Sequence, residues 1–110
     1  MANDPDFIEF VVDQIDASCN VRYRHMFGGT TLYSHDKVVA LICDNQLFIK
    51  PTDAGRSYIG NVDEAPPYEG AKDFFRISDE IEDSEWLSDL VRATESALPK
   101  PRPRKKKVKR

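Results

Sequence analysis

Residues 24–33 read Arg24-His25-Met26-Phe27-Gly28-Gly29-Thr30-Thr31-Leu32-Tyr33. An alternating, aromatic strand end meets a glycine pair and returns as a second apolar–aromatic strand. Two adjacent glycines open positive φ where a Cβ would clash, so the block predicts a hairpin corner turned by Gly28 and Gly29.

Period-two patterning continues downstream. Residues 30–35 read as a strand, His35-Asp36-Lys37 as a tight connection, and 38–43 as a strand apolar on both alternations, as expected of one covered on both sides or lying at a dimer seam. Asp44-Asn45 is a two-residue hairpin signal, and Gln46 to Lys50 returns as a strand. The result is an antiparallel meander of three or four strands. Upstream, Asp4-Pro5 is a carboxylate N-cap followed by proline at the first helical position. Phe7, Ile8, Val11, Val12 and Ile15 form an apolar stripe that predicts a helix to about Ala17. Downstream, Thr52 caps a short helix from Asp53 to Ile59 with Tyr58 and Ile59 facing inward, closed by Gly60-Asn61. Residues 63–70 read as a loop or edge strand and 73–77 as another strand. Asp79 with Glu82 has capping-box spacing; Trp86, Leu87, Leu90, Val91, Thr94 and Leu98 form a second helical stripe, stopped by Pro99. The fold class is α+β: a two-layer arrangement with a mainly antiparallel sheet.

The chain has 110 residues, 40% apolar and 10% aromatic, which suits one small domain. No apolar run approaches the roughly 18 residues of a membrane span. The acidic N-terminus lacks the basic region of a secretory signal, and Cys19 and Cys43 do not make a disulfide framework, so a reduced cytoplasm is expected. Charge divides the chain. Residues 1–98 carry all 19 acids and 8 bases, a net of −11, whereas residues 99–110 carry 8 bases and no acid. The organisation expected is one folded domain over 1–98 and a disordered basic tail over 99–110, too poor in apolar residues to repay ordering.

The segments Arg24-x-Met26-Phe27-Gly28-Gly29, Leu32-Tyr33 and Leu47-x-Ile49-Lys50 together resemble the TfoX N-terminal domain family, and the acidic last helix with Trp86-Leu87 is similar to the family's. The resemblance covers about residues 5–98. Thr31 stands where a glycine commonly precedes the Leu-Tyr pair, Lys37 where the next hairpin often has glycine, and Ser78 where proline often opens the last helix. The resemblance implies a two-layer fold like the type III secretion chaperones, in the order α-β(3)-α-β(2)-α. It further implies a homodimer and no enzymatic activity; no cofactor is expected. Two-domain members carry a C-terminal helical domain and regulate natural competence alongside the cyclic-AMP receptor protein; here the basic tail stands in that place. The expected function is therefore a non-enzymatic regulatory and interaction module, with an unknown protein partner and a link to competence-type genes.

Each chemical alternative has a plainer reading. Cys19 and His25 would suit a nucleophile pair, but no third group orients the histidine. Cys19, His25, His35 and Cys43 are separated by six, ten and eight residues, without the close pairing of zinc sites. Gly28-Gly29-Thr30-Thr31 is followed by a strand, not by the helix N-terminus a phosphate loop needs. The acids Asp79, Glu80, Glu82, Asp83 and Glu85 suit a solvated helix start. No catalytic, cofactor or metal residue is assigned. Phe27, Tyr33, Phe48, Phe74 and Phe75 would stack on bases if the sheet bound RNA; core or dimer seam is the stronger reading. Arg22 and Arg24 share one alternation, with pairing to body acids the simpler account. The tail cations Lys100, Arg102, Arg104, Lys105, Lys106, Lys107, Lys109 and Arg110 leave three readings open: a nucleic-acid arm, contact with an acidic protein surface including the chain's own, and an import-type address.

Overall fold

The computed structural model describes residues 4–26 and 29–99, without the Met26 side chain. The expectations for Phe27, Gly28, the Met26 side chain and the tail from residue 100 onward lie outside the described residues.

Helix α1, Pro5–Gln14, starts where the sequence predicts: the Asp4 carboxylate accepts from the Asp6 N–H at 3.0 Å, with proline in the first turn. It ends three residues before Ala17. Asp16 recaps the chain locally, its carboxylate accepting the Ser18 N–H, and a 3-10 turn Ala17–Cys19 replaces the last helical turn. Left-handed Asn20, at φ 51°, then turns the chain into the sheet.

Strands β1 (Val21–Met26), β2 (Gly29–Ser34), β3 (Lys37–Cys43) and β4 (Gln46–Ile49) form the meander. Both described hairpin turns, His35-Asp36 and Asp44-Asn45, hold positive φ at both central residues, the turn whose twist matches that of paired strands. Helix α2, Asp53–Ile59, is capped by Thr52, whose hydroxyl accepts the Gly55 N–H at 2.9 Å. Strand β5 (Asp63–Ala65) is the edge beyond β6 (Phe74–Ile77), and the sheet order is β1-β2-β3-β4-β6-β5, antiparallel throughout. The fold is therefore α+β, as expected. The meander has four strands, one more before α2 than the order implied by the resemblance.

Helix α3, Ser84–Ala97, begins later than the Asp79–Glu82 spacing suggests. Residues 79–82 form a 3-10 turn without a side-chain cap, and Asp83 caps α3 by accepting the Trp86 N–H at 3.1 Å. Tyr58 corrects a second expectation. It is exposed, its hydroxyl donating to the Trp86 carbonyl at 3.0 Å. The inward position of α2 belongs to Gly55, where a Cβ would stand 3.4 Å from the Phe75 ring and 3.6 Å from the Thr94 hydroxyl.

Register assigns the faces of the sheet. Tyr23, Leu32, Ala40, Ile49, Phe75 and Glu64 are successive cross-strand partners, as are Thr30, Ile42, Leu47 and Ile77. Opposed residues share a face, and Leu32, Ala40, Ile42, Leu47, Ile49, Phe75 and Ile77 of these rows belong to one buried cluster with Ile8, Val11, Ile81, Leu87, Leu90 and Val91 from the helical segments. The helices thus cover one face. A bulge where Leu32 faces Ala40 and Tyr33 faces Val38 leaves Val39 without a partner on β2, and Val39 and Ala40 both enter the buried cluster. This accounts for part of β3's apolar character without a second covering layer.

Candidate functional site

The other face carries a second register row: Arg24, Thr31, Leu41, Phe48, Arg76 and Asp63, one residue from each of the six strands. Beside it runs Arg22, Tyr33 and Val38, and on β6 Phe74 faces Ala65. Leu41, Tyr33, Val38 and Phe74 are half-buried. Phe48 is 3% exposed, yet it stands outside the cluster that holds the other buried apolar residues. The sequence reading placed the aromatics in a core or seam. Phe75 is core, whereas Tyr33, Phe48 and Phe74 occupy the face the helices leave open.

Arginines border this apolar centre. Arg76 pairs with Asp63 at 2.6 Å and Arg22 with Asp36 at 2.5 Å, both at the surface. The expectation that both β1 arginines pair with body acids holds for Arg22; Arg24 has no ion pair among the described residues. The acids concentrate in the helical layer: Asp6, Glu9 and Asp13 on α1, Asp79, Glu80 and Glu82 in the 3-10 turn, Glu85, Asp89 and Glu95 on α3.

The end of α3 is fixed to one corner of the sheet. Lys37, at the start of β3, donates to the carbonyls of Glu95 at 2.9 Å and Leu98 at 3.0 Å. A cation on terminal carbonyls satisfies groups that the helix leaves orphaned and suits its dipole. The end of α3 is therefore held at the start of β3, on the helix-covered side, where Lys37 pairs with Ser34. Sequence reasoning met Lys37 only as a hairpin residue. A signal was present, a lysine beside a turn and a helix ending at Pro99, but its pairing spans 58 positions.

The alternative chemistry is dispersed. Cys19 is buried beside the Ser88 carbonyl, and burial pushes its thiol up, away from a thiolate. His25 sits far along β1, its Nδ1 3.1 Å from the Thr30 hydroxyl. The structure does not bring them together. Among the described residues no group of three or more His, Cys, Asp or Glu is placed to hold a metal ion. An open pocket of about 170 Å³ lies between Ile59, Asn61, Arg76 and Glu80, below the roughly 300 Å³ at which small-molecule sites begin.

The described residues of the opening block and its companions serve the sheet. Gly29 opens β2 opposite Met26. Leu32 and Leu47 are core, Tyr33 and Arg24 lie on the open face, and the Lys50 N–H extends the ladder by donating to Val39 O at 2.8 Å. The family profile described as TfoX N-terminal domain matches residues 13–98. The chain belongs to the TfoX N-terminal domain family. This TfoX N-terminal domain is also 46% identical over 109 residues to a protein of Spirochaeta aurantia described as an uncharacterized 12.7 kDa protein in the trpE 5' region. That alignment spans 99% of this chain and 95% of the relative, so it extends across the basic tail. No described helix is long and apolar enough to cross a membrane.

Proposed function

We propose that this TfoX N-terminal domain is a non-catalytic regulatory module that works by macromolecular contact, in the cytoplasm and as a homodimer. The observation that carries the reading is the unequal use of the sheet. One face is filled by helices, and the other presents half-buried apolar residues between arginines, in register across six strands. Such a surface suits a partner better than a substrate. Self-association is supported by β1, an edge strand without proline, whose outer side has no strand neighbour among the described residues. Sedimentation velocity across micromolar concentrations is expected to show a dimer; a strict monomer would remove that part. The family's competence regulators support a link to genes of DNA uptake. Deleting the gene is expected to change their transcript levels, and unchanged transcripts would contradict the link.

A second reading assigns nucleic acid as the contact, through Lys100, Arg102, Arg104, Lys105, Lys106, Lys107, Lys109 and Arg110. It is favoured by the charge of these eight cations, gathered in residues 100–110 of a chain whose residues 1–98 are acidic. Eight phosphate contacts on a duplex would give a slope of log K against log salt near −7. The full chain is expected to bind DNA or RNA in low salt with a steep slope. Equal binding by a chain ending at Leu98, checked for folding by circular dichroism, would overturn this reading.

A further inference from the structure

We propose that the open sheet face is the homodimer interface, with two copies packed face to face about a two-fold axis that runs along the strands between β3 and β4. This rests on the dimer reading above and gives it a surface and a geometry.

The order of charge in the register row chooses the occupant and the axis. From β1 to β5 the row runs Arg24, Thr31, Leu41, Phe48, Arg76, Asp63. Rotation about an axis along the strands reverses that order on the facing copy. Arg24 then faces Asp63 of the second copy, Arg76 faces its Thr31, and Leu41 faces its Phe48. No like charges are opposed in this row. An axis at right angles to the strands would instead set Arg24 on Arg24 and Asp63 on Asp63. Two residues along the same strands, the same rotation sets half-buried Tyr33 of β2 opposite half-buried Phe74 of β6, so an aromatic ring meets an aromatic ring.

The groups at the two rims are each short of a partner. Arg24 is exposed and has no ion pair among the described residues. Asp63 gives Arg76 only its Oδ2, which lies 2.8 Å from Nε and 2.6 Å from Nη2. Its Oδ1 has no hydrogen bond among the described residues, and a carboxylate has room for a second guanidinium. Each edge of the sheet thus holds the half of an ion pair that the opposite edge of a copy supplies. Facing sheets lie about 10 Å apart, a gap that a long arginine side chain spans. The β1 edge is the competing seam. In its two longest antiparallel registers Arg22 faces Arg24 of the copy, or Arg24 faces Arg24, and like charges directly opposite are destabilising.

The test is sedimentation velocity of the full-length protein in low salt, with folding checked by circular dichroism. Arg24 and Asp63 stand on opposite edges of one sheet, about 24 Å apart, so within a chain neither substitution reaches the other. Arg24→Glu and Asp63→Lys each set like charges against the copy at both rims. Each is expected to raise the dissociation constant about 10-fold. Mixed in equal amounts, the two variants present opposite charges to each other at both rims, and the mixture is expected to associate as the wild type does. A folding defect would not be rescued by mixing. If the wild type dimerises and both variants match it, the face is overturned and the dimer reading stands, with the β1 edge as its seam. Weakening in both variants without recovery on mixing overturns the two-fold facing. A strict wild-type monomer overturns both and leaves the face to a partner of another kind.

Discussion

Lys37 and Glu95 are joined twice: the Lys37 ammonium lies 2.9 Å from the Glu95 carboxylate and 2.9 Å from the same residue's backbone carbonyl. The contact ties the start of a central strand to the last turn of α3. Both side chains are largely buried, Lys37 at 12% exposure. Lys37→Met keeps the aliphatic stem and removes the charge. Hydrogen bonds to charged groups contribute about 1.5–3 kcal/mol, so urea denaturation is expected to show a loss of about 2 kcal/mol, with earlier amide exchange near residue 98. An unchanged midpoint would mean that the anchor is ornamental.

Gly55 gives a prediction of opposite sense to helix propensity. Alanine in place of a mid-helix glycine ordinarily gains up to about 1 kcal/mol. Here the added Cβ would stand 3.0 Å from the Thr52 hydroxyl that caps the helix and 3.4 Å from the fully buried Phe75 ring. Overpacking costs about 1–3 kcal/mol, so Gly55→Ala is expected to lower the melting temperature. A rise would show that Thr52 and Phe75 can yield.

Alkaline stability follows from the two thiols. Burial raises the pKa of Cys19 and of Cys43 above the ordinary value near 9, the Asp44 carboxylate adding to the effect at Cys43. In the unfolded chain both ionise first, so the native state holds more protons and stability falls as pH rises past about 9. Denaturation between pH 8 and about 10 is expected to show that decline. Cys43→Ser, at the less buried site, is expected to flatten it; an identical slope would remove Cys43 from the account.

Asp16 works in the opposite direction. Hydrogen bonds from the Ser18 hydroxyl and N–H, then the charge of Arg92, hold its carboxyl below the ordinary 3.8. The stability this contributes is present above that value and is lost as pH falls through the depressed one. Ser18→Ala is expected to move the Asp16 titration, followed by carboxyl NMR shifts, upward toward 3.8. A titration that stays put would assign the shift to the residue-18 N–H and Arg92.

What was legible in the sequence was local. Asp4 with Pro5, Thr52 three residues before Gly55, and the Asp44-Asn45 turn each involve neighbours, and each appears where it was read. What depended on register was harder. Phe48 reads as core by hydrophobicity, and only its pairing with Leu41 and Arg76 puts it on the open face. The bulge at Val39 shifts alternation inside β3, so counting by two assigns Val38 and Ala40 to one face when they belong to different ones. Tyr58 reads as inward by helical spacing, but the adjacent Gly55 takes the contact with Phe75. The candidate site was visible in parts, as Arg22 with Arg24 and as the tail. Its assembly depends on Arg76, fifty residues beyond the end of β1.

Contact through the open face and the tail is the proposed mode of action. Backbone NMR of the full-length protein, compared with the Arg24→Glu variant and then titrated with oligothymidylate in low salt, tests it most directly. Amide shifts are expected along the row Arg24, Thr31, Leu41, Phe48 and Arg76 from the substitution and in residues 100–110 from the titration, with the α1 amides of Asp6 and Glu9 unmoved. Shifts confined to α1 and α3, or none at all, would contradict it.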